Sequence, residues 1–259
     1  MVDGGLIGTL ASRVKSGTPV FAAWCSLPEP LVAESLVRAG FDTAVLDMQH
    51  GAYDFATVMR GIGAVALAGK PAMVRIPVGE FARVSRLVDA GAAAVVAPMI
   101  NSVADATAFA AFAKFPPMGE RSWGPHRAMT LSGLQPHVYL AKANAIHLAI
   151  AMIETREALA ALDDILAVPG IDGVLVGPSD LSIALSHGEK LDPASAGVDA
   201  ALTHIATRAK AHGKFAALFT LSGVKAREMA ARGFALCSIA TDQILLRTAA
   251  QAELAAARP

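Results

Sequence analysis

Short, mostly apolar runs alternate along this chain with longer segments whose apolar positions recur at helical spacing. Because the short runs show no regular polar alternation, they are typical of parallel strands that are buried on both faces. Several of the longer segments end at a glycine, the usual residue after the last turn of a helix. The predicted strands are residues 19–25, 43–48, 72–76, 93–99, 148–153, 173–177, 215–220 and 235–240. The clearest predicted helices are residues 30–40, 81–91 and 156–168.

This order of elements predicts an α/β fold with a parallel sheet. Eight strand–helix units in 259 residues fit a single-domain (β/α)8 TIM barrel over residues 1–259, since such barrels take about 250 residues. An open, doubly wound sheet is the structural alternative. It has no support as a dinucleotide-binding fold, because no Gly-x-Gly-x-x-Gly motif follows the first strand.

Two segments depart from the repeat. Residues 115–146 contain prolines, glycines, and basic and aromatic side chains, and a connection of this length inside a compact domain is usually functional or lies at an interface. We expect it to form a long loop after the fourth strand, on the active face. Residues 242–257 form a predicted C-terminal helix that is apolar enough to pack on a neighbouring subunit, which allows exchange between subunits. Packing on its own barrel is the alternative.

The charge balance narrows the class of protein. The chain has 22 basic and 22 acidic residues and is 54% hydrophobic. A neutral balance argues against nucleic-acid binding, which favours a basic face, and no apolar run approaches the ~20 residues needed to span a bilayer. Cys25 and Cys237 lack the spacing of a metal site, and the first residues lack a secretory signal pattern. We therefore expect a cytoplasmic globular protein with reduced core thiols.

Polar and aromatic side chains follow five of the predicted strands. In a barrel, reactive groups lie at the C-terminal ends of the strands, so we expect these residues to share one mouth. Each has a structural explanation alone, such as core filling, a rim ion pair or the acidic first turn of a helix, but their convergence favours a functional site. They are Trp24 after the first strand, Asp47 and His50 after the second, Arg75 after the third, Glu154 after the fifth and Asp180 after the sixth.

Glu154 and Asp180 follow adjacent strands, and two such carboxylates suggest a divalent-cation site. Hard cations such as Mg²⁺ take one or two carboxylates together with water and substrate oxygens. A glycosidase would instead use the pair as acid and nucleophile. Arg75 and an aromatic content of only 5% argue against a sugar cleft.

The stretch before Asp180 adds a second candidate feature. Gly177 and Pro178 form a predicted turn, and Ser179 is a candidate N-cap of the following helix. Free backbone N–H groups at such a helix start favour a bound anion, for example a carboxylate of the substrate.

Together, these and neighbouring stretches resemble the HpcH/HpaI aldolase family, the metal-dependent class II pyruvate aldolases. The resemblance runs from about residue 19 to residue 187, with a compatible pattern of strands and helices to the end. Its most specific part is the pair "IETREA" and "GPSDLS", in this order and about 25 residues apart. The stretches that carry it are "FDTAVLDMQHGAYD", "VRIPVG", "DAGAAAVVAPM", "FPPMGERSWGP", "AMIETREAL" and "GIDGVLVGPSDLS".

The resemblance implies a role for each residue of the candidate site. Glu154 and Asp180 would bind Mg²⁺, Mn²⁺ or Co²⁺, and the keto and carboxylate oxygens of pyruvate or hydroxypyruvate would chelate the ion. Arg75 would contact the keto oxygen. His50, paired with Asp89, would act as the acid/base group. The other residues expected to contact substrate are Trp24, Asp47, Arg121, Gly177, Pro178 and Ser179.

The implied reaction is the reversible cleavage of 4-hydroxy-2-oxo acids into pyruvate or hydroxypyruvate and an aldehyde, through a metal-bound enolate. The resemblance also implies a homo-oligomer, a hexamer built as a trimer of dimers. Many relatives carry Glu and Gln where this chain has Gln49 and Met152, so the donor and acceptor preferences stay open. The alternatives are a lyase of the citrate or malyl-CoA type, which acts on CoA thioesters, and a non-catalytic barrel that binds metabolites.

Overall fold

The computed structural model describes residues 4–258, and its eight strands form one closed parallel barrel in chain order. Each strand pairs with the next, and β8 pairs with β1. The predicted single-domain (β/α)8 barrel is confirmed, since every predicted strand is present. The strands are β1 Val20–Cys25, β2 Thr43–Asp47, β3 Ala72–Arg75, β4 Ala94–Ala97, β5 Leu148–Ile153, β6 Gly173–Val176, β7 Phe215–Leu218 and β8 Leu236–Thr241.

Apolar side chains cover both faces of the strands, which explains the absence of a polar alternation in the sequence. On β1, Val20, Ala22 and Trp24 belong to the cluster that fills the barrel interior. Ala23 and Cys25, which alternate with them, belong to the larger cluster under the surrounding helices. A strand of this kind turns polar only where it leaves the barrel, so polar residues mark its end.

The helices surround the barrel, and within residues 4–258 none is long and apolar enough to cross a membrane. The predicted helix over residues 156–168 is divided at Ala161 into two short helices. The helices are α1 Gly5–Ser16, α2 Pro30–Arg38, α3 Phe55–Leu67, α4 Ala82–Asp89, α5 Val103–Ala113, α6 His126–Ser132, α7 Pro136–Ile146, α8 Arg156–Ala160, α9 Leu162–Ala167, α10 Pro178–Leu185, α11 Ala196–Ala211, α12 Gly223–Ala231 and α13 Asp242–Ala257.

The long segment between β4 and β5 differs from its prediction in structure and in position. Helix α5 returns the chain to the amino end of the barrel, and residues 115–146 follow it and contain α6 and α7. Both helices pack against α1, which precedes β1. His147, directly after them, hydrogen bonds through Nδ1 to the carbonyl of Ala92, just before β4, at 2.8 Å. The expected loop on the active face is therefore wrong, because this segment covers the opposite end of the barrel.

The C-terminal helix α13 extends away from the barrel. Its first residue, Asp242, is buried, and the Asp242 carboxylate accepts hydrogen bonds from the N–H groups of Ser26 and Leu27 (3.0 and 2.9 Å). From Leu246 to Arg258 every residue is exposed. Packing of this helix on its own barrel is therefore limited to its first turn.

Both cysteines are free and buried, as expected of core thiols. Burial raises the pKa of the Cys237 thiol to about 12. Burial, with the nearby Asp242 carboxylate, raises the pKa of the Cys25 thiol still further above its usual range. Neither thiol is a nucleophile in this environment, because the reactive form is the thiolate.

Candidate active site

A cavity of about 230 Å³ lies at the carboxyl ends of the strands. The structure brings most of the residues expected at the site to its walls. These are Trp24, Asp47, His50, Arg75, Gly177, Pro178, Ser179 and Asp180. The remaining lining residues are Ser26, Met152, Phe219 and Thr241.

Asp47 holds the guanidinium of Arg75 at this mouth. The two side chains lie side by side because their strands pair with Asp47 opposite Arg75. Arg75 donates from Nε to Asp47 Oδ1 (2.9 Å) and from a terminal nitrogen to Oδ2 (2.6 Å), a bidentate pair. Trp24 also donates to Oδ2 from its indole nitrogen at 3.2 Å, and the guanidinium carbon of Arg75 lies 4.8 Å from the Trp24 ring centroid. These contacts fix Arg75 with its charge beside the cavity.

The pKa of Asp47 reflects this arrangement. Burial acts to raise the pKa of the carboxyl, but the hydrogen bonds and charge of Arg75 and the N–H groups of Gln49 and Trp24 outweigh it and lower the pKa. Asp47 is therefore ionised throughout the neutral range, and the pair keeps its bidentate geometry there.

Asp47 also shapes the turn that carries His50. Its Oδ1 accepts hydrogen bonds from the backbone N–H groups of Gln49 (3.0 Å) and His50 (3.3 Å). The turn passes so close to β2 that a Cβ on Gly51 would collide with the carbonyl oxygen of Asp47 and lie 3.0 Å from the Cα of Ser26. The imidazole of His50 lines the cavity and has no hydrogen-bond partner among the residues described, so it is available to a substrate.

Glu154 and Asp180 meet beside Gly177. A Cβ placed on Gly177 would lie 2.7 Å from Oε2 of Glu154 and 3.5 Å from Oδ2 of Asp180. The glycine therefore leaves the space in which the two carboxylates face each other. The other oxygen of Glu154 accepts a hydrogen bond from the N–H of Met99 at 2.9 Å, and Met99 has the left-handed φ of 55°.

The electrostatics of this carboxylate pair fit a cation. Burial raises the pKa of Glu154, the Met99 N–H opposes that shift, and the Asp180 charge adds to it. Within residues 4–258, Glu154 Oε2 and the Asp180 carboxylate accept no hydrogen bond, and no group of three or more His, Cys, Asp and Glu side chains has metal-binding geometry. Two oxygen donors without a hydrogen-bond donor suit a hard divalent ion that takes its other ligands from substrate and water.

Helix α10 begins next to this pair, although not at the predicted residue. Gly177 is the N-cap and Pro178 the first helical residue, so Ser179 lies within the first turn instead of capping it. No side chain caps the helix, and the hydroxyl of Ser182 donates to the Ser179 carbonyl at 2.7 Å. The first N–H groups of α10 therefore remain open towards the cavity, as an anion site requires.

Asp89 and Arg121 lie at the other end of the barrel. Asp89 is the last residue of α4, and its carboxylate accepts a hydrogen bond from Arg121 at 2.5 Å. Arg121 also donates to the Tyr139 hydroxyl (3.3 Å), which is hydrogen-bonded to Nε2 of His147 (2.8 Å). Within one chain, Asp89 therefore does not pair with His50, and Arg121 does not reach the cavity. Their predicted roles at a site completed by a neighbouring copy stay predictions. The helix that follows β3 carries Asp89 away from the mouth.

Sequence reasoning missed three residues of the cavity wall. Ser26, Phe219 and Thr241 each directly follow or end a strand, and this position is the one signal that could have identified them. Phe219 lies edge-on to Trp24 with ring centroids 5.0 Å apart. Met152, where many relatives carry Gln, lies in the wall as an apolar group.

A closed α/β barrel with a carboxylate pair, a guanidinium and an imidazole at one mouth defines an enzyme that acts on a small molecule. The chain belongs to the HpcH/HpaI aldolase/citrate lyase family, whose model matches residues 21–249. The family predicted from the sequence is thereby confirmed, and with it the class of enzyme, a carbon–carbon lyase.

Relatives with assigned activities cover nearly the whole chain. A hydroxypyruvate/pyruvate aldolase of Rhizorhabdus wittichii is 42% identical over 242 residues, which is 93% of this chain and 95% of that protein. A 5-keto-4-deoxy-D-glucarate aldolase of Citrobacter koseri is 31% identical, with coverage of 93% and 91%. The crystal structure of an HpcH/HpaI aldolase/citrate lyase family protein from Burkholderia cenocepacia J2315 is 30% identical, with a TM-score of 0.85 and coverage of 97% and 100%.

Proposed function

We propose that this chain is a metal-dependent class II aldolase that reversibly cleaves 4-hydroxy-2-oxo acids into pyruvate or hydroxypyruvate and an aldehyde. The observation that carries the proposal is that Glu154 Oε2 and the Asp180 carboxylate face each other beside Gly177, without a hydrogen-bond donor among the described residues. Asp180 and the fixed guanidinium of Arg75 line the same cavity. A cavity of about 230 Å³ suits a small 2-oxo acid rather than the nucleotide of a CoA thioester.

Glu154 and Asp180 would hold the divalent cation, Mg²⁺, Mn²⁺ or Co²⁺. When bound, the ion supplies a Lewis acid for the keto and carboxylate oxygens of the donor. The open N–H groups at the start of α10 favour the donor carboxylate on the same side of the cavity. Gly177 keeps the space between the carboxylates free of side-chain atoms.

Arg75 stabilises the charge that develops on the donor. Breaking the C3–C4 bond moves its electron pair into an enolate, so negative charge appears on the C2 oxygen. Asp47 and Trp24 already hold this guanidinium in place, so it needs no reorganisation to meet that charge. Arg75 therefore lowers the activation free energy of the reaction and does more than bind the substrate.

His50 acts as the base in cleavage. Its imidazole removes the proton of the C4 hydroxyl, the C4–O bond becomes the aldehyde carbonyl and the C3–C4 bond breaks. An imidazole suits this step because its neutral ring nitrogen accepts a proton that the same nitrogen can later return. In synthesis the same group returns the proton to the new C4 alkoxide.

The first experiment follows exchange of the C3 protons of pyruvate and hydroxypyruvate for deuterium in D₂O by NMR, with Mn²⁺ or Mg²⁺ and then with EDTA. No aldehyde has to be chosen for this measurement. We expect metal-dependent exchange in the native protein, none in Glu154→Ala and slower exchange in Arg75→Ala. Glu157→Ala removes an exposed carboxylate three residues along the chain and serves as the matched control. Absence of exchange with both donors in metal-loaded protein would count against the proposed chemistry.

We also propose that the chain works as a homo-oligomer in which a second copy covers α13. An apolar groove of about 450 Å³ lies between α2 and the start of α13. Leu31 on one side is 66% exposed and Leu246 on the other is 64% exposed, and apolar surface of this kind marks an association site. A hexamer, as a trimer of dimers, is the assembly we expect. Any pairing of Asp89 with His50 would have to form between copies, since the two lie at opposite ends of one chain.

A further inference from the structure

We propose that the amino end of the barrel, opposite the active site, carries a binding site for a phosphate dianion. The site is a lysine cleft, defined here by Lys15, Lys210 and Lys214 with Val14 and Phe215 at its base. It is independent of the proposed aldolase activity, since none of its residues belongs to the active-site cavity.

The cleft is a continuous depression rather than scattered surface. Two cavities, of about 510 and about 440 Å³, share Val14, Lys210, Lys214 and Phe215. Lys214 directly precedes β7, which places the cleft at the amino ends of the strands. Each cavity exceeds the active-site cavity in volume.

The ammonium groups of the cleft have no carboxylate partner. Lys214 donates to the carbonyl of Ile171 at 2.5 Å, and Lys15 makes a long contact of 3.4 Å with the carbonyl of Ala145. The Lys210 ammonium has no hydrogen-bond or ion-pair partner among residues 4–258. Three positive charges therefore face one depression in a chain whose formal net charge is zero.

Asp172, the carboxylate that lines the cleft, is already paired with the ammonium of Lys114. Asp172 Oδ2 accepts from the ammonium of Lys114 (2.6 Å) and from the N–H of Ala149 (2.7 Å). Lys114 is fully buried, so Asp172 compensates a charge inside the protein and does not neutralise the lysines of the cleft. The fourth basic group, Arg232, is paired with Asp199 at 2.5 Å.

The pKa of the buried Lys114 reflects the same excess of positive charge. Burial lowers the pKa of Lys114, Asp172 opposes that shift, and the charges of Lys15 and Lys214 lower the pKa further. These ammonium groups are therefore close enough to repel one another. A bound dianion would relieve that repulsion, and phosphate matches it best because its oxygens accept several charge-assisted hydrogen bonds at once.

Binding of inorganic phosphate to the full chain in EDTA, measured by isothermal titration calorimetry at constant ionic strength against chloride, tests the proposal. EDTA keeps the carboxylate pair free of a cation that could itself bind phosphate. We expect saturable binding, weakened about tenfold in Lys210→Met/Lys214→Met. The double variant Lys190→Met/Lys225→Met removes the same charge at exposed Lys190 and half-buried Lys225, both outside the cleft, and should bind like the native protein.

Lys210→Met alone guards against a folding defect, because the Lys210 ammonium makes no hydrogen bond or ion pair with residues 4–258 whose loss could disturb the fold. It should bind phosphate more weakly with an unchanged unfolding midpoint in chloride. Native-like phosphate binding by the double lysine variant would overturn the proposal, as would binding lost equally in the control. Equal or tighter binding of malonate would overturn the assignment to phosphate in favour of a dicarboxylate.

Discussion

Asp47 makes five of the hydrogen bonds that build the active site. Two fix Arg75, one fixes Trp24, and two form the turn that leads to His50. Asp47 therefore links Arg75, the group proposed to stabilise charge, to the backbone of His50, the group proposed to move the proton. A residue that acts through others in this way is a positioning residue, and its loss should affect the reaction more than substrate binding.

The variant Asp47→Asn tests this role. Asn keeps an acceptor for the turn but removes the negative charge and replaces one acceptor of Arg75 by a donor. We expect kcat for deuterium exchange into the donor to fall on the order of 100-fold, with a smaller change in KM. Asp164→Asn, at an exposed position, is the control. If Asp47→Asn changed kcat and KM no more than Asp164→Asn does, the assignment of Asp47 as a positioning residue would be contradicted.

The ionised carboxylate of Glu154 lowers the free energy of unfolding of the cation-free protein. Its pKa is raised, so the folded protein holds this proton more tightly than the unfolded chain does. Stability of the cation-free protein must then fall as pH rises from the ordinary carboxyl range, near pH 4, through the raised pKa of Glu154. At the proposed cation site, affinity would thus be gained at the expense of the stability of the cation-free protein.

Glu154→Gln should therefore stabilise the protein in EDTA. Gln keeps an oxygen for the Met99 N–H and carries no charge beside Asp180. We expect a gain on the order of 1 kcal/mol at pH 7 that shrinks towards zero near pH 4. Urea unfolding across this pH range measures it, with the exposed Glu189→Gln as control. A gain independent of pH would show that charge is not its cause.

At the scale of elements, the connection from β6 to α10 provides the space in which the carboxylates of Glu154 and Asp180 face each other. Gly177 has an ordinary φ of −94°, which alanine also adopts, so its importance lies in the space beside Glu154 and Asp180 and not in backbone strain. The sequence indicates a turn at Gly177, but it does not show that the carboxylate of Glu154, which follows the neighbouring strand β5, lies beside this glycine.

Gly177→Ala should weaken cation binding while the barrel stays folded. The new methyl would lie 2.7 Å from Glu154 Oε2 and push that oxygen from its place. We expect the affinity for Mn²⁺ to fall at least about tenfold, measured by calorimetry. In the control Gly197→Ala, the nearest atom to the new methyl is 4.0 Å away, and native affinity is expected. Native affinity in Gly177→Ala would show that the pair is not the cation site.

The strands and the site residues on them were predictable because each strand is buried on both faces and turns polar only at its end. Glu154 directly follows β5, and Asp180 lies in the first turn of the helix after β6. The structure of residues 115–146 was not predictable, because their small and polar side chains resemble those of a loop. The sequence pattern also does not show to which end of the barrel α5 returns the chain. Phe219 was missed for the opposite reason, since an aromatic residue after an apolar strand reads as core.

At the scale of the whole molecule, the barrel separates two kinds of chemistry. The carboxyl ends of the strands hold the carboxylates, Arg75 and His50, and the amino ends hold the lysine cleft and the Asp89–Arg121 pair. In this fold conserved geometry at the carboxyl end serves catalysis, and the other end serves stability or contacts. The two ends can therefore be altered independently in experiments.

The groove beside α13 allows a direct test of assembly. Leu246→Glu places a charge on the exposed apolar side of the groove, so we expect a smaller particle by light scattering with multi-angle detection. Leu67→Glu is the control, because Leu67 is 78% exposed on α3 and lies outside the groove. An unchanged particle mass in Leu246→Glu would place the subunit interface elsewhere.

The exposed helix α13 also bears on how the protein behaves on dilution. A helix whose later turns are exposed receives little stability from packing on its own chain, and isolated helices of this length are marginal in water. If a second copy covers α13, mass action links its folding to the total protein concentration. The melting temperature should then rise with concentration, and enzyme diluted for assay should lose its last helix first.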